Sequence, residues 1–328
     1  MDDKRECFAA YADGQFYYDK LPKQLSHTWN YNEKLSQKDI TYFYLWVQGK
    51  NLADTCPEHL KYRYESSEKR IKAHFNSFRQ ASVNISDVCF YDLVPDKHLQ
   101  HYFECRNEIC EWIMDNSEKP SNYRHLHDTY ETIQDISSRK LNINKHKLYN
   151  YKNDDFKAQT LWKNFGEQQN IFVNYDLFGS VTGRLTTKPG SFPIMNVKTE
   201  LKDIVRPTND VFIEIDFNAA EIRTLISLSG QEQPQEDIHE FNRKNLFREG
   251  SRDDAKTRFF AWLYNQRSTK IQSDFYDRER ILEKHHREGY IHTPFGRKIE
   301  CDQFHALNYL LQSTSSDNCM DRVNKINK

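Results

Sequence analysis

Apolar and polar residues alternate through Val211-Phe212-Ile213-Glu214-Ile215-Asp216. Val211, Ile213 and Ile215 fall on one side of such a chain, the period of two expected of a strand with one buried face. The period then lengthens. Ile222, Leu225 and Ile226 return at helical spacing, and Gly230 is a stop signal. Asp216 is thus predicted at the end of a strand, just ahead of a helix, where rigid elements hold a carboxylate at a sheet edge. Asn218 followed by Glu221 reads as a capping box. A carboxylate so placed suits a hard divalent cation such as Mg2+, which takes one or two carboxylates plus substrate phosphates.

A second pattern runs through Arg252, Lys256, Phe260 and Tyr264, which recur every four residues. Each step of four advances about 40° around a helix, so these side chains form one slowly turning stripe. Ser251 is a good N-cap, Asp253 and Asp254 suit the first turn, and Ala255, Phe259 and Trp262 lie on another face that can be buried. The stripe is cationic at its start and aromatic at its end, so a triphosphate can lie along the first half and a base can stack on the second. A surface helix with solvated charges and two core aromatics would show the same residues.

Elsewhere, Arg63 to Phe78 and His98 to Met114 read as helices, and Asp87 to Leu93 as a short strand ended at Val94-Pro95. Asp317 to Lys328 reads as a helix with Met320, Val323 and Ile326 at three-residue spacing. Arg139, Lys140, Lys145, Lys147 and Lys152, with Tyr149 and Tyr151 interleaved, form a basic stretch with no acidic residue. It can track duplex phosphates or be a solvated loop.

Composition adds limits. The formal net charge is −1, so affinity for nucleic acid must come from local patches. Mean hydropathy is −0.91, but 14% aromatic residues argue for packed domains rather than disorder. No apolar run approaches a transmembrane span, and Met1-Asp2-Asp3-Lys4-Arg5-Glu6 does not read as a signal peptide. The seven cysteines include no C-x-x-C pair, and all read as reduced thiols of a cytoplasmic protein without a membrane partner.

The order of motifs goes further. Phe178-Gly179-Ser180-Val181-Thr182-Gly183-Arg184-Leu185-Thr186-Thr187 precedes Asp216-Phe217 and Glu221-Ile222-Arg223. Asp237-Ile238-His239, the Arg252–Tyr264 helix, Gly289-Tyr290-Ile291-His292-Thr293 with Gly296-Arg297, and Asn308-Tyr309-Leu310-Leu311-Gln312 follow. From about Phe165 to Asn327 this order resembles the family A DNA polymerases, the bacterial DNA polymerase I family, with Asp216 in the place of motif A and Arg252 to Tyr264 in that of motif B.

The resemblance implies a mixed α/β right-hand polymerase fold, incomplete at its C-terminal end. Residues 116–165 would be the thumb, 166–230 and 299–328 the palm, and 231–298 the fingers, behind an N-terminal region, 1–115, of degenerate or partial exonuclease-like character. It implies transfer of deoxynucleotides from dNTPs to a primer 3′-hydroxyl on primer-template DNA, by two Mg2+ ions. Asp216 and the backbone carbonyl of Phe217 would bind metal. Glu221 would exclude the ribose 2′-hydroxyl. His239, Arg252 and Lys256 would hold the triphosphate, and Lys256 would give a proton to the leaving pyrophosphate. Phe260 would pack on the incoming nucleotide and Tyr264 would stack at the templating position. Thr182, Arg184, Asn308 and Gln312 would touch the primer terminus from the minor groove. Arg139, Lys140, Lys145 and Lys147 would follow the duplex backbone.

The same resemblance exposes a gap. The family's second catalytic aspartate lies in motif C, a His-Asp hairpin, and no His-Asp pair follows Gln312; the only such dipeptide is His127-Asp128. A second polypeptide carrying motif C, a missing C-terminal part, or loss of catalysis with binding retained are the three explanations. The only Asp-x-Glu, Asp277-Arg278-Glu279, falls late in a charged segment, so no proofreading is expected. Shortening between Tyr264 and Gly289, Asn265 after the motif B tyrosine, and Phe304 near the template position are departures that fit a phage member acting in a bacterial or phage-infected cell. Two other classes compete: a catalytically inactive DNA-binding or replisome scaffold, and a single-subunit RNA polymerase, against which Glu221 argues.

Overall fold

Two long helices of the N-terminal part show how the sequence builds its first core. In α3 (Glu58–Gln80), Leu60, Tyr64, Ser67 and Ile71 are buried at steps of four, three and four. In α4 (Asp96–Asn116), Leu99, Phe103, Ile109 and Ile113 are buried on the facing stripe. Each large side chain so buried contributes about 1.5–3 kcal/mol relative to exposure. Arg63 on α3 reaches Glu108 on α4 at 2.6 Å. The two helices predicted from Arg63 and His98 are therefore present and longer at both ends. They are preceded by a hairpin of β1 (Ala9–Ala12) and β2 (Gln15–Tyr18), paired from Ala9 with Tyr18 to Ala12 with Gln15, and by the short helices α1 (Phe43–Trp46) and α2 (Leu52–Thr55).

The computed structural model describes residues 9–12, 15–18, 43–83, 93–265, 268, 271, 273 and 275–326. The strand expected over Asp87–Leu93 falls almost wholly on residues 84–92, outside those described. The chain divides into two compact units, Met1–His127 and Asp128–Lys328. It is mixed α/β, mostly helical, with small antiparallel sheets. Among the described residues no helix is long and apolar enough to cross a membrane. Cys56, Cys105, Cys110, Cys301 and Cys319 are free thiols; Cys7 and Cys89 lie outside the described residues.

The second unit takes α5 (Tyr123–Ser138) from Asp128 onward, and α6 (Lys145–Tyr151) and α7 (Phe156–Phe165) follow. Leu148, Leu161 and Phe165 pack with Phe192, Leu201 and Ile204. A two-residue ladder joins β3 (Tyr175–Asp176) to β4 (Thr186–Thr187). A second core gathers α8 (Ala220–Leu228), α9 (Ile238–Asn242), α10 (Arg252–Leu263), α11 (Arg278–His285) and α12 (Gln303–Ile326) around the sheet β5 (His286–Arg287), β6 (Tyr290–His292) and β7 (Lys298–Glu300). The helical tail predicted from Asp317 is the second half of α12, which runs unbroken from Gln303.

Helix α12 changes character along its length. Ala306, Leu307, Leu310 and Leu311 bury an apolar face, and further along Thr314, Asp317 and Asn324 are buried polar groups. Asn324 accepts from Thr132 Oγ1 at 2.8 Å and donates to Thr129 Oγ1 at 3.2 Å, which ties α12 to α5. Asp317 meets Arg297, from the turn between β6 and β7, through two hydrogen bonds of 2.6 and 3.1 Å. Gly183 lies against that guanidinium at φ +74°, and an added Cβ would collide with it. The Gly183 carbonyl accepts from Ser316 Oγ at 3.2 Å. One buried ion pair thereby holds a turn, a helix and the loop that leads to Arg184.

Two expectations are corrected. Residues 211–217 form no strand, and all are exposed. Alternation states which face a sheet would bury, but a strand exists only through ladder partners. None of the described residues donates or accepts a backbone hydrogen bond there. The Asn218–Glu221 capping box is also absent: Ala219 is the N-cap, in the left-handed region at φ 50°, without a side-chain cap. Glu221 is drawn elsewhere. The helix it opens is as predicted, with Ile222, Leu225 and Ile226 fully buried and Gly230 at φ +71° after its end.

Asp317→Asn is expected to destabilise the protein by about 3–5 kcal/mol in urea titrations, because it leaves Arg297 buried without its charge partner. The double variant Arg297→Met/Asp317→Leu should recover much of that loss; a double variant as unstable as the single one would show that the pair's charge is not what matters.

Candidate functional site

Helix α8 presents Glu221 to one side, and two residues from distant stretches converge on it. Arg184 donates from Nη2 to Glu221 Oε1 at 2.6 Å. The Tyr264 hydroxyl donates to Glu221 Oε2. Burial and this carboxylate push the Tyr264 phenol well above its ordinary value, so it stays a donor. Tyr264 is the C-cap of α10, which explains its place: the capping box of Ser251 with Asp254 starts that helix where predicted, and three turns carry the stripe to its aromatic end. Ala255, Phe259 and Trp262 are buried on the other face, as the pattern required.

The aromatic end is ordered. The rings of Phe260 and Tyr264 stack at 5.9 Å with 21° between planes, and His239 lies 6.2 Å from Phe260. His239 is buried, and its Nδ1 has no hydrogen-bond partner among the described residues. Burial, then the nearby Arg252, lowers its pKa from 6.5, so it is neutral at pH 7. The cationic end is partly engaged. Arg252 forks onto Asp237 at 3.0 and 2.8 Å. That fork holds the Asp237 carboxyl well below its usual range. Asp237 also caps α9 through Glu240 N at 2.9 Å, so it is a fixed counter-charge. In the sequence Asp237 stands two residues before His239 in a cap position, but nothing local names Arg252 as its partner. Lys256 is exposed.

Asp216 stands apart. It is exposed and lines a cavity of about 570 Å3 with Arg223, Thr224, Thr314, Ser315 and Asn318. Thr224 and Ser315 share a hydrogen bond of 2.9 Å, which joins α8 to α12 at the cavity wall. Thr314 Oγ1 is buried there without a partner among the described residues. Arg223 is occupied by the carbonyls of Asn218, Pro234 and Glu236 and pins the loop that follows α8. Cys319 is close enough to Asp216 for that carboxylate, after desolvation, to raise its thiol pKa. Phe217 is exposed beside Asp216. No hydrogen bond or ion pair joins Asp216 to Glu221 or to the α10 stripe among the described residues.

The remaining predicted residues are scattered. Thr182 is buried and Arg184 exposed on the loop ordered by the Arg297–Asp317 pair. Asn308 and Gln312 are half-buried on α12, and Asn308 Oδ1 lacks a described partner. In the basic stretch, Arg139 pairs with Asp135 at 2.6 Å, Lys147 with Asp203 at 2.6 Å, and Lys145 donates to the Gln168 carbonyl at 2.5 Å, while Lys140 is exposed.

Asp216 is the one carboxylate among the described cavity residues. Glu221 is already shared by Arg184 and Tyr264. One carboxylate and a backbone carbonyl can share a Mg2+ with substrate phosphates. They do not make the paired-carboxylate clamp of a two-metal centre. Among the described residues, the side chains that bring three ligand atoms within 4.8 Å of one another are His127, Asp128 and Glu131, local to one turn of α5. Comparison with protein-family models and with curated protein sequences finds no match.

His239 generates a pH expectation. Its folded-state pKa lies below the unfolded value near 6.5, so the unfolded chain binds the proton more tightly. The stability due to neutral, buried His239 is complete above that pH and is lost as pH falls from 6.5 toward the lowered folded value. NMR titration of its ring should give a midpoint below 6.5, and His239→Phe should flatten the fall of urea stability between pH 7 and pH 5.

Proposed function

We propose that this chain is the nucleotide-binding and primer-binding part of a template-directed DNA polymerase of the family A type, with thumb, palm and fingers in residues 116–328. One observation carries the reading: Arg184, Glu221 and Tyr264, separated by 37 and 43 residues, meet in one cluster beside the Phe260 ring. That cluster has the parts a deoxynucleotide site needs. A carboxylate fixed by two donors presents bulk and charge to the sugar, a stacked aromatic pair receives the base, and His239 and Lys256 lie along the same helix-bounded face.

Phosphoryl transfer depends on positioning and on neutralising charge at the attacking and leaving oxygens. Lys256 is the side chain of this chain that would meet the leaving pyrophosphate, with neutral His239 as a nearby hydrogen-bond donor. Arg252 would serve the phosphates only in competition with Asp237, so its charge helps less than its position implies. The site has one carboxylate of the pair that such chemistry uses. Nucleotide addition is therefore proposed to require a second carboxylate from a motif C segment outside residues 1–328, on a second polypeptide or in a missing C-terminal part. The isolated carboxylate also favours the alternative, a DNA-binding replisome scaffold without catalysis.

The test is primer–template binding and primer extension with Mg2+ and four deoxynucleotides, beside Asp216→Ala and Lys256→Ala. Primer–template should bind, more weakly as salt rises, because phosphate contacts release counterions. Extension that both variants abolish would make the chain a working polymerase by itself, and absence of binding, or a preference for ribonucleotides, would sink the reading. Glu221→Ala is expected to narrow any preference for deoxynucleotides over ribonucleotides by about tenfold, since it removes the group that crowds the 2′-position.

A further inference from the structure

The first unit holds a contact that the nucleotide site does not use. His74 on α3 and His98 on α4 face each other across the helix pair, with His74 Nε2 2.9 Å from His98 Nδ1. The ring centroids are 5.2 Å apart with 43° between planes. Packing fixes both side chains. Ile71, three residues before His74, and Leu99, next to His98, are buried in the core, and Phe78 stacks on the His74 ring at 6.3 Å. Arg63 and Glu108 tie the same two helices at another level. Both rings are half-buried, so solvent still reaches them.

Two imidazoles this close share one proton, one ring donating and the other accepting. The same two nitrogens can instead share a metal ion. Nitrogens each about 2.0–2.1 Å from one ion lie about 2.9 Å apart at a right angle and about 3.4 Å apart at the tetrahedral angle. The observed spacing is that of neighbouring ligands in a square or tetragonal shell, the geometry of Cu2+ and Ni2+. A turn of each ring about its outer torsion, which is broad for histidine, aims both lone pairs at one point. The donor ring's proton then passes through solvent to its other nitrogen, so each ring gives the ion one lone pair and no proton is lost. Burial, then the charges of Arg70, His74, Lys97 and His101, lowers the His98 pKa from 6.5, so that ring is an unprotonated ligand at pH 7. Arg70 and Lys97 oppose a cation, but both are exposed and their charge is screened by salt.

We propose that His74 and His98 form a binding site for a first-row divalent cation that prefers nitrogen, Ni2+ or Cu2+ before Zn2+, which clips α3 to α4. The site needs neither DNA nor Mg2+, so it stands or falls independently of polymerase activity.

The probe is Ni2+, titrated by calorimetry into the untagged full chain with excess Mg2+ and no DNA. Mg2+ takes oxygen ligands, so it fills carboxylate sites and leaves imidazoles free. NMR line broadening by the bound paramagnetic ion reads its place, and amide hydrogen exchange in α3 and α4 reads the clip. Ni2+ should bind, broaden the His74 and His98 resonances first, and slow exchange around both residues. His74→Gln and His98→Asn each put an amide atom where the ring nitrogen stood, which keeps a hydrogen bond and removes a metal ligand. Each should weaken binding at least about tenfold. His127→Ala, in the three-ligand cluster on α5, should leave it unchanged. The broadening pattern of the unaltered chain decides the matter if either amide variant fails to fold. The proposal is overturned by no binding, by binding that both amide variants retain, by broadening centred elsewhere, or by loss of binding in His127→Ala.

Discussion

The ion pair of Arg297 and Asp317 is the contact on which the ordering of the second unit turns. Both charges are almost wholly removed from water, and such a pair repays its desolvation only when its geometry is good and its neighbours fit closely. Here the fit is supplied by absence of a side chain, since Gly183 leaves the guanidinium room that any Cβ would take. The pair thus selects the path of residues 180–184, and that path delivers Arg184 to Glu221. Without it, Arg184 would be one more surface arginine, and the carboxylate of Glu221 would have only Tyr264.

Helices were legible from sequence because their cause is local. The spacing of Ile222, Leu225 and Ile226 and the Ser251 cap specify elements that form from their own residues and then pack. What the helices carry was partly legible too: the four-residue stripe from Arg252 to Tyr264 does end in a stacked pair. What each side chain would bind to was not. Nothing local marks Asp237 as the counter-ion of Arg252, or Glu221 as held across the fold rather than closing a capping box beside Asn218. Asp317 did leave a trace, as a carboxylate on the same inward stripe as Leu310 and Thr314, where a charge demands a partner. The partner lies twenty residues away in a turn and is found only in the fold.

The strand predicted over Val211–Ile215 failed for a reason of the same kind. Period-two alternation describes how a segment would divide its side chains between two faces once it is paired. It contains no information on whether a neighbour is present to pair with. The helix that follows needs no such neighbour for its hydrogen bonds, so one half of the Val211–Gly230 stretch matches its pattern and the other half does not.

Helix α8 makes this division consequential, because its two sides meet different requirements. Toward Arg184 and Tyr264 it presents Glu221, and every charged or polar atom in that cluster is supplied by the chain itself. Toward Thr224, Ser315 and Thr314 it borders the cavity of Asp216, where a hydroxyl is buried without a partner and the carboxylate faces solvent. Buried polar atoms are ordinarily satisfied. A cluster already satisfied can recognise a ligand as it stands, whereas a lone carboxylate beside an open backbone edge gains its counter-groups only from outside. Among the described residues, α8 is therefore satisfied on its Glu221 side and open on its Asp216 side. The open side begins at the residue where the unpaired segment ends.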